Sequence, residues 1–278
     1  MTNLRRLKIS SIFVFIILVL VTALLITPVL YMAFTSLKPL AEVRAYPPTF
    51  LPRQWAWGNY VEIFNRVNYL GYFRNSLIVA CLSTMGTVFS SSFVAYGFAR
   101  FRAPHKDKIF MIIIATLLLP YPALIIPQYL IFQHLGWIDT FLPLIVPTFL
   151  GNAYFIFLMR QFFTTVPDSL FEAAKIDGCN EFRNYWNIAL PLCKPALASV
   201  AIFEFQWTWN DVIGPVIYLT SDKNFTLPIG MASLFGVHKI IPWHIIMTGS
   251  VIALFPLIIL FAFCQKYFVE GITISGVK

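Results

Sequence analysis

Charge is scarce in this sequence. Asp, Glu, Lys and Arg make up 12% of 278 residues, about half the share of an ordinary soluble domain. Histidine is scarcer still, and His105, His134, His238 and His244 are scattered among loops and helix ends. A membrane-embedded enzyme would need acids, a nucleophile or metal ligands converging at one depth, so this scatter argues against that class. Cysteine numbers four, and Cys81, Cys179, Cys193 and Cys264 have no metal-type spacing; they read as free thiols. No G-x-x-x-x-G-K-[ST] is present, so the chain carries no phosphate loop of its own. There is no repeat of solenoid period and no low-complexity segment.

Apolar residues are abundant instead. They make up 59% of the chain, with 28 Phe, and gather in about six long runs. A soluble domain has one core and cannot bury that many runs. The expected fold is an all-α polytopic membrane protein, a single transmembrane domain over 1–278. Its six transmembrane helices lie at about 11–34, 76–99, 109–132, 141–163, 195–220 and 244–265. The first run mimics a signal peptide, but it is too long and no small-residue cleavage site follows, so a retained span is expected.

The net charge of +8 could point to nucleic acid. The basic residues flank apolar runs, however, and membrane topology explains them better; no nucleic-acid partner is expected, and lipid is the expected surrounding. With both termini inside, thirteen Lys and Arg fall on the inner side and seven on the outer, five of the seven in one long loop. The positive-inside bias thus places both ends in the cytoplasm of a multi-pass plasma (inner) membrane protein. Prolines interrupt most spans, at Pro28, Pro120, Pro122, Pro127, Pro143, Pro147 and Pro256. Ser83, Gly86, Thr87, Ser90 and Ser91 form one small-residue face of the second span. These features suit a bundle that changes shape, though ordinary helix packing explains each of them singly. The outer loop at about 35–75 is rich in Pro and Trp, and short surface helices are expected there.

One polar segment breaks the pattern. "VPDSLFEAAKIDGCNEFRNYWNIALPLCKP" lies within the inner loop 164–194. Ser169 and Glu172 have the spacing of a capping box. Leu170, Ala173 and Ala174 are expected on one face, and Gly178 ends the helix where a left-handed residue is cheapest. Asn180 can cap a second helix carrying Phe182, Tyr185, Trp186 and Ala189 on one face. The result is a helix–Gly–helix hairpin whose first arm is too short to be stable alone. Glu172 and Asp177 could be read as a catalytic pair, but the loop is exposed and lacks a His or metal ligands.

A second candidate site lies in "FEFQWTWNDV" of the fifth span. Glu204 is about 15 Å beyond Lys194 along a helix, near mid-bilayer. There an ionisable group costs roughly 2.5–3.5 kcal/mol unless it faces a cavity or partner. Glu204, Trp207, Thr208 and Asp211 share a helical face by spacing. Aromatic planes beside carboxylates suit a sugar: the ring's C–H faces stack and its hydroxyls donate. The competing reading of Glu204, Trp207 and Asp211 is hydrogen bonding between helices.

"EAAKIDG" followed by "IALPLCKP" resembles the cytoplasmic loop motif of ABC importer permeases. "PVLYMAFTSLKP", "PPTFLPRQWAWGNY", "YFRNSL", "AYGFARFRAPHKDK", "LLLPYPALIIPQYLIF", "WTWNDVIGPVIYL" and "QKYFVEGITISGVK" extend the resemblance along nearly the whole chain. They look like the smaller six-span permease of maltose-type sugar importers. The resemblance implies that the hairpin is a coupling helix between spans 4 and 5. Glu172, Ala173, Ala174, Asp177 and Gly178 would dock it onto a cytoplasmic ATPase dimer, which binds the ATP and Mg; this chain would hold no cofactor, no metal site and no catalytic residue. It also implies a second permease subunit, an extracytoplasmic solute-binding protein, and contact of the outer loop 221–243 with that protein. The tail "GITISGVK" would reach the ATPase. The alternative within the class is a permease for a non-sugar solute such as an amino acid or phosphate ester. A stand-alone channel would have no use for the hairpin.

Overall fold

The computed structural model describes residues 2–236 and 241–275. Among them every regular element is a helix. The major ones are α1 (Thr2–Ser36), α2 (Asn59–Arg66), α3 (Tyr69–Arg100), α4 (Lys106–Ala115), α5 (Tyr121–His134), α6 (Leu142–Ile145), α7 (Ala153–Thr165), α8 (Asp168–Ile176), α9 (Glu181–Asn184), α10 (Lys194–Trp209), α11 (Ile213–Tyr218), α12 (Leu227–Gly236) and α13 (Trp243–Ser275). The chain forms two compact units. One comprises the residues up to Tyr69 with Met231–Phe255, the other Leu70–Gly230 with the residues from Pro256.

Four helical segments are long and apolar enough to cross a bilayer alone: Ile12–Ser36, Tyr69–Arg100, Leu142–Thr165 and Trp243–Lys266. The side chains of α1 are exposed all round from Ile12 to Tyr31. A helix apolar on every face is one that is buried when in place, as a membrane span is.

The remaining spans are bent. Where one helix is expected over 109–132, α4 runs through a 3₁₀ turn, Thr116–Leu118, and then turns 100° into α5. Pro120 is the cause: Leu119 before it is extended, as the residue ahead of a proline is pushed to be. The helix expected over 195–220 ends at Trp209, and only the short α11 follows. Upstream, Glu181–Leu192 meets α10 at 78°. Six spans result when each bent pair counts as one. The fourth is also interrupted: a 3₁₀ stretch, Val146–Leu150, leads to Gly151 at φ +97°. Asn152 restarts it, its side chain accepting from the amides of Tyr154 and Phe155 at 3.0 and 3.4 Å.

The small-residue stripe of α3 seals that interruption. Ser83 donates to the carbonyl of Leu144 and Ser90 to that of Thr148, at 3.1 and 2.9 Å. The Ser91 hydroxyl accepts from Asn152 N at 3.3 Å. Irregular backbone at membrane depth needs such partners. A Cβ at Gly86 would lie 2.4 Å from Thr148 Oγ1 and 2.6 Å from the Phe149 ring, so only glycine admits this approach.

In the first unit the loop at about 35–75 carries a one-turn helix, Leu40–Val43, and α2. Asn59 donates to the carbonyls of Ser36 and Lys38 at 2.7 and 2.9 Å, tying the loop to the end of α1. The four cysteines are free.

Candidate functional site

The hairpin begins at Pro167. Its helix α8 has no side-chain cap, so the expected Ser169–Glu172 box is not formed. Pro167 occupies the cap position, and Asp168 in the first turn turns to Arg100. The C-terminus follows expectation. Gly178 stands at φ +81°; its amide donates to Lys175 O at 3.0 Å, and Cys179 N reaches Ala174 O at 2.9 Å. This 6→1, 5→2 pair is a Schellman ending.

The faces divide differently from expectation. Phe171 and Ala174 are buried, while Leu170, Glu172, Ala173, Asp177 and Gly178 are exposed. Asn180 caps the second arm, accepting from Arg183 N at 2.8 Å. The arm continues as a π turn, Tyr185–Ala189. The wider turn rotates the expected aromatic face apart: Tyr185 and Ala189 are buried, whereas Phe182 and Trp186 stack on the outside at 6.4 Å.

Sequence reasoning missed the anchor. Arg100, the last residue of α3, donates to the carbonyls of Phe163 and Val166 at the end of α7. It pairs with Asp168 and lies over the Phe171 ring. Tyr96, one turn earlier, packs on Phe163, Phe171 and Tyr185 and donates to Glu181 at 3.1 Å. Lys175 joins Glu181 at 2.7 Å across the two arms. The Lys175 hydrogen bond is the main influence holding the Glu181 carboxyl below its usual range. The hairpin is thus fixed to spans 2 and 4 as one piece.

In the fifth span, Glu204 is 7% exposed and accepts from Thr208 Oγ1 at 3.3 Å, with the Thr87 hydroxyl as a second partner. Trp207 is 52% exposed, its ring 5.2 Å from Phe155 and 5.8 Å from Tyr154. Asp211 lies past the end of α10, where Oδ1 accepts from Ile213 N at 3.0 Å and Gly214 N at 3.3 Å and starts α11. The shared face expected of Glu204, Trp207 and Asp211 requires an unbroken helix, and α10 stops between Trp207 and Asp211. Asp211 instead lines a recess of about 240 Å³ with Tyr121, Gln128, Phe132, Pro143 and Tyr218.

Part of the outer loop 221–243 and the last residues of the tail lie outside the described residues. Within the described part, Asp139 accepts from the amides of Thr220 and Ser221 at 2.9 and 2.8 Å, and Asn224 donates to Asp139 O at 2.7 Å.

Residues 88–274 match the family described as binding-protein-dependent transport system inner membrane component. The arabinooligosaccharides transport system permease protein AraQ of Bacillus subtilis is 32% identical, over 93% of this chain and 92% of its own. The sn-glycerol-3-phosphate transport system permease protein UgpE of Yersinia pestis is also 32% identical, over 95% and 96%. A chain from the crystal structure of a bacterial ABC transporter involved in the import of the acidic polysaccharide alginate superposes with a TM-score of 0.81 at 22% identity, covering 94% of this chain and 97% of that one. With its all-helical architecture and its interrupted apolar spans, the chain belongs to the binding-protein-dependent transport system inner membrane components, the membrane-embedded permease subunits of ABC importers.

Proposed function

We propose that this chain is one of two permease subunits of an ATP-driven importer for a sugar or oligosaccharide, with the translocation path between the two. Both termini face the cytoplasm. An ATPase dimer docks on the hairpin and supplies the ATP and Mg site, and a solute-binding protein delivers the substrate from outside. Closure of the ATPase moves α8, and the path opens outward.

The observation that carries the reading is the make-up of the hairpin. Its inner face is fixed by Arg100, Tyr96 and Phe171. Its outer face exposes Leu170, Ile176, Phe182 and Trp186 beside Glu172, Ala173, Asp177 and Gly178. Large apolar side chains grouped on a polar loop mark a protein contact. A rigid attachment lets displacement there reach the ends of spans 2 and 4. The sugar class rests on the arabino-oligosaccharide relative.

A phosphate ester is the second reading, because UgpE is named for sn-glycerol-3-phosphate. The recess beside Asp211 disfavours it: no Lys, Arg or His lines it, so an anion there would find no cation to pair with. The test is co-purification of the ATPase, then uptake per ATP in vesicles, for the wild type and Ala173→Asp. Full association and coupling in the variant would remove the hairpin from this role. Uptake of glycerol 3-phosphate without uptake of any sugar would replace the substrate class.

A further inference from the structure

The turn from α3 into α4 gathers four basic side chains. Arg102, His105, Lys106 and Lys108 line one open recess of about 640 Å³. His105 takes a left-handed φ of +61° at the turn, and the Lys106 ammonium donates back to Phe101 O at 3.0 Å. Among the described residues no carboxylate stands within ion-pair distance of Arg102, Lys106 or Lys108. Asp107, the one acid in the lining, is paired with Arg160 at 3.2 Å. Charges that only orient a membrane protein need to flank a span; they do not need to converge on one recess.

Apolar surface continues from the recess along α4. Phe101, Ile109, Met111 and Ile112 are all exposed. Lys108, Ile109 and Ile112 share a face of α4 by their spacing. Cations at the end of an exposed apolar face match a molecule with an anionic head and an apolar tail. A free phosphate ester would use the cations and leave that face uncovered. On the other side, Arg102 and Lys106 also line a cleft of about 540 Å³ against Phe171, Glu172 and Lys175 of α8. Of the three carboxylates there, Asp168 and Glu181 are held by Arg100 and Lys175, which leaves Glu172 alone against the two cations.

We propose that the turn Arg102–Lys108 binds the phosphate headgroup of an anionic phospholipid, with an acyl chain laid along Ile109 and Ile112. Arg102 and Lys108 pair with the phosphate, and Lys106 adds its charge. Each such residue near an anionic lipid surface strengthens binding by about fivefold. The headgroup then borders the cleft against α8, so a lipid stands beside the hairpin. The proposal rests on the membrane-embedded fold and not on the import function proposed above.

The test is photolabelling of the complete transporter in phosphatidylcholine vesicles. A diazirine is carried on the acyl chain of either phosphatidylglycerol or phosphatidylcholine, at equal amounts in parallel samples, and labelled peptides are mapped by mass spectrometry. The expected result is labelling within 101–112 by the phosphatidylglycerol probe about fivefold or more above the phosphatidylcholine probe. Arg102→Gln with Lys108→Gln should abolish the excess. Arg102→Lys with Lys108→Arg, which keeps both charges, should keep it. Equal labelling by the two probes in the wild type overturns the site. An excess that survives the glutamine pair, or that is lost equally in the charge-keeping pair, overturns it too, since charge would then not be what holds the lipid. Displacement of the probe by millimolar glycerophosphoglycerol, which has the headgroup and no acyl chain, would reassign the turn to a free phosphate ester. Absence of any labelling there, with the ATPase lost from the glutamine pair on co-purification, would reassign it to a contact with the ATPase.

Discussion

The guanidinium carbon of Arg100 lies 4.1 Å from the centre of the Phe171 ring. One residue thereby joins the C-terminal end of α3, the last carbonyls of α7 and the buried face of α8. Its side chain is 10% exposed, whereas that of its ionic partner Asp168 is 85% exposed. The carbonyl and ring contacts therefore outweigh the ion pair, which water screens.

That inequality predicts unequal mutants. Arg100→Lys keeps the charge but loses the planar fork that reaches two carbonyls and stacks on a ring. Each charge-assisted hydrogen bond lost contributes about 1.5–3 kcal/mol. We expect the complex to assemble poorly or to hydrolyse ATP without uptake. Asp168→Asn is expected to cost under about 1 kcal/mol and to transport normally. Equal damage from both, measured as solute imported per ATP, would place the weight on the ion pair instead.

Gly178 predicts a graded series. No atom lies within 4 Å of where its Cβ would be, so a substitution there meets no steric neighbour in this chain and acts through φ +81° alone. Gly178→Val is expected to strain the turn by about 1–2 kcal/mol and misplace α9, with all spans inserted. Gly178→Asn is expected to be the milder change, because asparagine tolerates the left-handed region. Co-purification of the ATPase orders the two. An asparagine variant as defective as the valine one would mean that a partner needs the empty space and not the backbone shape.

How much of this is legible in sequence depends on the range of the interaction. The span Ile12–Ser36 is legible because its apolar character is complete. The Gly178 ending and the Asn180 cap are legible because they are decided within five residues. The bends are only half legible. Pro120 signals a break, but nothing local sets an angle of 100°. Projecting Glu204, Trp207 and Asp211 onto one face assumed a helix that Trp209 ends. The meeting of Arg100 with Phe171, 71 positions on, and the placing of Tyr121 and Tyr218, 97 positions apart, around one recess are tertiary and leave no periodic trace.

The stripe on α3 predicts a packing defect separate from coupling. In Gly86→Ala the new methyl would lie 2.4 Å from Thr148 Oγ1 and 2.6 Å from the Phe149 ring, so both must shift. Overpacking of this kind costs about 1–3 kcal/mol. We expect a lower melting temperature of the purified transporter, with solute-per-ATP ratios preserved in whatever protein remains folded. Ser90→Ala is expected to be smaller, near 0.5–1.5 kcal/mol, since one hydroxyl-to-carbonyl bond is lost. An alanine at Gly86 with unchanged melting would show that this interface yields freely.

The tie at Asp139 predicts a pH response. Asp139 holds φ +61°, a conformation that Asp and Asn tolerate better than most residues. The Ser221 hydroxyl, then the amides of Ser221 and Thr220, hold its carboxyl well below the usual range. A depressed carboxylate contributes stability above its unfolded pKa, and loses it only as pH falls through the lower folded value. Amide exchange in the segments 137–140 and 219–224 should therefore stay equally protected, relative to unstructured controls, from neutral pH down to about 5. In Asp139→Ala the protection should be lost at every pH, because three acceptor contacts go at once. Asp139→Asn should keep much of it, having one side-chain oxygen for the two amides and tolerating the same backbone. Protection that falls away between pH 7 and 5 in the wild type would mean that the carboxyl titrates in its ordinary range, and the tie would then be a weaker clasp than its hydrogen bonds indicate.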